Sequence, residues 1–260
     1  MKRTKLFPFL FIPVIVSGIC GGILRAQQLT TAFDEKLGIY IAGALPTKGL
    51  IAVSIVAVLL ALISALFFKS ENASSSERKN ILTAIPVYVG AFALLCFAAL
   101  LLFSLIGKFD FIALVLALFS IYCAIAFISM GIYRFAERYD SSAYNIFAAV
   151  PAFWACFLLI TAFRAKISDP IIANYILTVF AYIAILLFAY STAAHLLGKG
   201  KKYVAIFSCF IGLYFCITEI LSTFIVSAPV TLDRIIELMP MLAFILIMPS
   251  ATIMILDSKK

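Results

Sequence analysis

The stretch Leu50–Phe68, LIAVSIVAVLLALISALFF, decides the architecture. It holds no charge, no proline and no glycine. About 20 such residues in an α-helix cross the hydrocarbon layer of a bilayer. Its apolar residues are continuous rather than alternating with period two, which excludes a membrane β-barrel strand. Working outward, seven more runs of the same kind follow the pattern. They are Leu6–Arg25, Ile81–Ile106, Phe111–Ile132, Tyr144–Phe163, Pro170–Leu197, Tyr203–Ser227 and Ile235–Leu256. The longest of them have room to tilt or to pass beyond the interface.

Composition agrees. Of 260 residues, 65% are hydrophobic and 12% charged, against about half and a quarter in a soluble domain. A bilayer removes the need to hide so much apolar surface. The expected fold is therefore all-α: a polytopic transmembrane helix bundle of about eight spans, forming one integral membrane domain over residues 1–260 whose obligatory partner is the lipid bilayer.

Met1-Lys2-Arg3-Thr4-Lys5 before the first run has the look of a secretion signal. The run is longer than a usual signal core, however, and no small-x-small cleavage site follows it. Ile19 also occupies the position before Cys20 where a lipoprotein signal carries a small residue. The segment is expected to stay as the first span.

Basic residues give the orientation. With the N-terminus inside, the inner segments carry Lys2, Arg3, Lys5, Lys69, Arg78, Lys79, Arg134, Arg138, Lys199, Lys201, Lys202, Lys259 and Lys260. The outer ones carry Arg25, Lys36, Lys48, Lys108, Arg164, Lys166 and Arg234, so the split of the 20 is 13 to 7. Positive residues concentrate on the cytoplasmic side, so both termini are expected to be cytoplasmic. The net charge of +8 is this topology signal, suited also to anionic headgroups, and implies no nucleic-acid partner. Asn72-Ala73-Ser74 matches a glycosylation acceptor but falls on the cytoplasmic side. Helix punctuation fits the runs: Asn80 and Asp110 are expected caps, Asp169-Pro170 opens the sixth run, and Gly198 and Gly200 close it.

Several chemistries lack their residues. The six cysteines (Cys20, Cys96, Cys123, Cys156, Cys209 and Cys216) stand singly in the runs; they read as small packing residues, not as a redox motif. His195 is the one histidine, expected near the inner interface. One histidine excludes bis-histidine haem and argues against zinc. No lysine lies within a run for a retinal Schiff base, and Ser17-Gly18 has no base near it. No cofactor and no metal is expected, and enzyme activity is the weakest reading.

Charge at membrane depth is costly and marks function by default. Glu219 lies well within the seventh run, on a stripe of Ser208, Gly212, Cys216, Glu219 and Ser222 at helical spacing. Such a stripe faces other helices or a cavity. The first run offers a matching face of Ser17, Gly18, Gly21, Gly22, Arg25 and Gln28, whose Gly18 and Gly22 allow close approach. Arg164 ends the fifth run on the face of Trp154 and Thr161. Asn174, Tyr175, Thr178 and Tyr182 descend the sixth, and Asp233, Arg234 and Glu237 open the eighth. These residues converge on the outer side. The candidate site is an outward-facing polar pocket between runs 1, 5, 6 and 7, with Glu219, Arg25, Arg164, Gln28, Tyr175 and Thr178 as binding residues. There Arg25 or Arg164 holds an anionic group, and Glu219 pairs with them or carries a proton. The structural alternative is an Arg–Glu pair that locks helices and binds nothing. Prolines at positions 8, 13, 86, 151, 240 and 249 suit helices that bend, whether to move or only to pack.

The stretches Leu24–Asp34 (LRAQQLTTAFD) and Phe153–Phe157 (FWACF), followed by Phe163-Arg164 and Asp169-Pro170, resemble multipass proteins without assigned activity from anaerobic Gram-positive bacteria. The resemblance spans most of the chain. It implies a bacterial plasma membrane and transfers no site residues. Two functional classes lead: permeation or transport of a small solute or ion, and a partner-dependent subunit, scaffold or sensor. An example of the second is the permease subunit of an ATP-driven exporter, acting with a protein partner or a second copy of the chain.

Overall fold

The computed structural model describes residues 7–34, 39–41, 43–68, 81–106, 109–136, 142–166, 171, 175–226 and 231–257. They form eight long helices: α1 (Phe7–Thr31), α2 (Leu45–Phe67), α3 (Ile81–Ser104), α4 (Phe111–Ala136), α5 (Ser142–Lys166), α6 (Ile176–Leu196), α7 (Lys202–Val226) and α8 (Leu232–Asp257). All eight are long and apolar enough to cross a membrane. Large apolar side chains lie open on the outside, Phe153 at 69% and Phe92 at 65% exposure among them. A water-soluble protein does not leave so wide an apolar surface uncovered. The chain is a multi-pass membrane protein.

Helix ends depart from the hydropathy runs in ways that shape the site. α1 continues past Arg25 to Thr31, its last turn helped by Thr30 and Thr31 hydroxyls that bond the carbonyls of Ala26 and Gln27. α2 starts at Leu45 rather than Leu50, because Pro46 in the first turn suits a helix start. Between them Phe33–Asp34 (β1) pairs antiparallel with Ile39–Tyr40 (β2), a small hairpin inside an otherwise helical fold. α6 begins only at Ile176, six residues after the Pro170 expected to open it; the Asp169 cap and Asn174 lie outside the described residues, as does Asn80. Asp110 does cap α4, its Oδ1 accepting the Ile112 amide at 2.9 Å. Gly198, at φ 78°, closes α6 as expected. The amides of Gly198 and Lys199 bond the carbonyls of His195 and Ala194, a left-handed end that glycine adopts without a Cβ penalty.

α7 is the hub. It packs on α1 and α2 with one face and on α6 and α8 with the other, while α3 joins α4 to α8 and α5 bridges α4 and α6. Close approach of α1 and α7 depends on glycine. A Cβ on Gly18 would lie 3.0 Å from Ile217 Cβ, one on Gly21 2.7 Å from Thr218 Oγ1, and one on Gly22 2.8 Å from Leu221 Cβ. Thr218 also donates to the Gly18 carbonyl at 3.2 Å. Gly90 does the same for α3 and α8, where a Cβ would meet the Ala243 carbonyl at 2.8 Å. Without a hydrophobic force between helices in lipid, such van der Waals contact and interhelical hydrogen bonds carry association.

The core between α4, α5, α6 and α8 is aromatic. Phe244 stacks on Trp154 at 5.5 Å between ring centroids and takes Phe127 and Phe188 edge-on. The Trp154 indole N–H donates to Ser120 Oγ at 2.8 Å, so the one polar atom of this anchor is satisfied. Near the opposite end from Arg25, Ser191 and Ser208 hydroxyls join α6 to α7 at 3.1 Å, and the Lys202 ammonium donates to the Leu256 carbonyl at 3.2 Å.

Gly22→Leu is expected to lower stability by about 1–3 kcal/mol or to abolish the folded protein, as overpacked cores do. Gly43→Ala, at a position with nothing near its would-be Cβ, is the matched control. Unfolding followed by the fluorescence of the single, fully buried Trp154 measures both; equal stability of the two variants would contradict the close α1–α7 approach.

Candidate functional site

The polar side chains gather at the end of the bundle where α1 finishes and α6 begins. Arg25 is only 2% exposed and Glu219 8%. Arg25 lies six residues before the end of α1 and Glu219 seven before the end of α7, each roughly 10 Å inside its helix terminus at 1.5 Å per residue. Both are therefore ionisable groups within spans. The glycine contacts of α1 with Ile217, Thr218 and Leu221 of α7 set the two helices in the register that brings these groups to one level.

Each charge has a neutral hydrogen-bond partner beside it. Arg25 Nη1 donates to Gln28 Oε1 at 2.7 Å, one turn further along α1. The Gln28 amide in turn donates to Thr47 Oγ1 of α2 at 3.2 Å. The ring of Tyr40, carried by the hairpin, lies 5.4 Å from the guanidinium carbon, within cation–π range; Phe33 packs edge-on against that ring. On the other side, Thr178 Oγ1 in the first turn of α6 donates to Glu219 Oε1 at 2.6 Å. Ser222, next on the α7 stripe, turns its hydroxyl back to the Glu219 carbonyl.

Arg25 and Glu219 interact electrostatically, yet among the described residues no ion pair within 4.0 Å joins them. The direct ion pairs at this end lie further out. Glu237 of α8 is 2.9 Å from Arg234 Nη1 and 2.9 Å from Lys166 Nζ of α5. Glu237 also offers its backbone carbonyl to the buried Tyr182 hydroxyl at 2.8 Å.

Of the expected binding residues, the structure brings Arg25 to Gln28 and Thr178 to Glu219. Tyr175 is buried immediately before α6, one turn from Thr178. Arg164 is exposed at the end of α5, and the α5 cation that interacts with Glu219 is Lys166. Tyr40, Thr47 and Lys166 had no periodic signal to mark them: the first comes from the hairpin and the other two from helix ends. The rest of the α7 stripe serves packing. Gly212 leaves room for Met248, whose Cε would lie 2.5 Å from an added Cβ, and Cys216 is fully buried. His195 lies in the last turn of α6, buried rather than open at the interface, where a Cβ on Gly200 would run into its backbone nitrogen.

Fold and site together define a class: a multi-pass membrane protein with an arginine and a carboxylate buried near one face. No known protein family matches the chain, and no characterised protein or solved structure is significantly similar to it.

Two measurements follow from this geometry. Thr178→Val is expected to lower stability by about 1–3 kcal/mol, because it strips a buried carboxylate of its donor, while Thr178→Ser stays near wild type; Trp154 fluorescence during unfolding reads both. Arg25→Ala is expected to cut folded yield, since it leaves a lone buried charge, and Arg25→Ala with Glu219→Gln to recover much of it. Yields of the single and double variants that are equal would show the two charges to be uncoupled.

Proposed function

We propose that this protein passes a small solute or ion across the membrane through a polar pocket open to the outside. The pocket lies where α1, α6 and α7 meet, with α2 and the hairpin beside it. One observation carries the reading: Arg25 and Glu219, opposite in charge and interacting electrostatically, are both buried within spans near the same end of the bundle. Ionisable groups at membrane depth mark a functional site by default, and the hydrogen bonds from Arg25 to Gln28 and from Thr178 to Glu219 are ones a solute can exchange.

Orientation follows from the basic residues, 13 of 20 on the side of the termini. By the positive-inside rule the termini are cytoplasmic and the Arg25 end is outer, and the proposed location is a bacterial plasma membrane. Prolines within α1, α3, α5 and α8 supply points where these helices bend, as alternating exposure of a site requires. The competing reading is a partner-dependent membrane subunit. It draws on α2 and α5, which bury the smallest share of their surface in the bundle and have apolar faces to offer a partner.

Thiol labelling separates the readings. With the six cysteines replaced, Gln28→Cys is expected to react with a membrane-impermeant maleimide added to intact cells, as is Gly43→Cys in the α1–α2 connection. Reaction at position 43 alone would sink the pocket and leave the partner-dependent role leading. Reaction at neither, recovered from the inside, would reverse the orientation.

A further inference from the structure

We infer that the turn joining α6 to α7 binds an anionic phospholipid, with the lipid phosphate against Lys199 and Lys201 and an acyl chain along the exposed side of α6. The site lies at the opposite end of the bundle from Arg25 and does not depend on the permeation reading. α6 has 21 residues, about 30 Å at 1.5 Å per residue, enough to carry its ends to the two surfaces of the hydrocarbon layer. The turn from Leu197 to Lys201 therefore stands at headgroup level.

Packing sorts the lysines of this segment. Lys202 folds back onto the bundle, its ammonium donating to the Leu256 carbonyl of α8 at 3.2 Å. Lys199 and Lys201 stay exposed. The Lys201 ammonium lies 5.9 Å from the centroid of the Tyr203 ring, an aromatic at the level where such rings gather in membrane proteins. Two cations are thus left to the headgroups, and lysine holds a phosphate as a point charge.

The backbone that carries them is already fixed. Gly198 takes the left-handed conformation at φ 78°, and the Lys199 amide donates to the Ala194 carbonyl at 2.9 Å. The Lys201 carbonyl accepts from the Val204 amide at 3.0 Å, in the first turn of α7. A Cβ on Gly200 would run into the backbone of His195, so the turn lies tight against the end of α6. A lipid that binds here does not have to order the segment first, which is a cost that weakens binding to loose loops.

An apolar track leads up to the lysines. Phe180, Leu187, Tyr190 and Leu197 recur at helical spacing and are all exposed on α6. Phe180 rests on Phe215 of α7 at 5.4 Å between ring centroids, and exposed Val204 widens the apolar surface beside the turn. Soluble phosphate would meet the lysines alone, whereas a phospholipid meets both lysines and track. Each lysine near an anionic lipid surface contributes about fivefold in affinity, so the pair gives about 25-fold before screening by salt.

The test reconstitutes the full-length protein in liposomes of phosphatidylcholine and phosphatidylglycerol, with one or the other lipid carrying brominated chains that quench tryptophan. Leu187→Trp places the probe on the track. The parent, whose single Trp154 is fully buried, supplies the background, and Phe153→Trp on the exposed side of α5 is the control position. At about 100 mM salt, where exposed charges more than about 10 Å apart are screened, phosphatidylglycerol is expected to be preferred several-fold at position 187. Lys199→Gln with Lys201→Gln is expected to bring that preference down to the level at position 153, and Lys199→Arg with Lys201→Arg to keep it.

Equal quenching by the two lipids at position 187 would overturn the inference. So would a preference that survives the double glutamine variant, or one of the same size at position 153, since either makes it a property of the whole protein surface. Should the glutamine variant not accumulate, the comparison of the two probe positions decides alone.

Discussion

The close contact of α1 with α7 is the constraint on which the rest of this structure depends. Three glycines on one face of α1 let its backbone approach Ile217, Thr218 and Leu221 so nearly that a single Cβ at Gly22 would stand 2.8 Å from the Leu221 Cβ. In hydrocarbon no hydrophobic force draws helices together, so shape fit and hydrogen bonds between backbones and side chains must do it. The Thr218–Gly18 bond supplies the polar part, and the hydrogen-bonded Ser54 and Tyr214 hydroxyls, 2.7 Å apart, tie α2 to the same helix. Fixed in this register, the two helices bring the Arg25 guanidinium and the Glu219 carboxylate to one level.

The two halves of the bundle are built by different means. Around α7 and α1 the fit is made of glycines and small hydroxyls, and charges are tolerated near its end. Around α8 it is made of rings, with Phe244 gripped by Trp154, Phe127 and Phe188, and the only polar atom of the tryptophan answered by Ser120. The first arrangement gives close backbone contact with polar groups at hand; the second gives a dry, interlocked mass. A site that exchanges partners belongs with the first, and the aromatic half provides a rigid wall against which α6 and α7 are held.

The hairpin, from outside the apolar runs, and the first turn of α6 complete the site. The hairpin carries Tyr40 over the guanidinium, and α6 begins at Ile176, so that Thr178 stands in its first turn beside Glu219.

The sequence by itself determined that the chain carries eight helices long and apolar enough to cross a membrane among the described residues, because hydropathy is local and additive: a run such as Leu50–Phe68 fixes its own fate whatever its neighbours. It also marked Glu219, Arg25, Gln28 and Thr178, since charge and small polar residues at helical spacing are legible along one helix. Which partner each would meet was not legible. Thr178 and Glu219 lie 41 positions apart, and Tyr40 reaches Arg25 only through a two-residue ladder that no hydropathy window detects. Arg164 and Lys166 differ by two positions, yet Lys166 is the one that reaches Glu237, because 100° per residue on a helix turns them to different faces. Pairing depends on the shapes of two distant surfaces and on the register between them, and those exist only once the helices are packed.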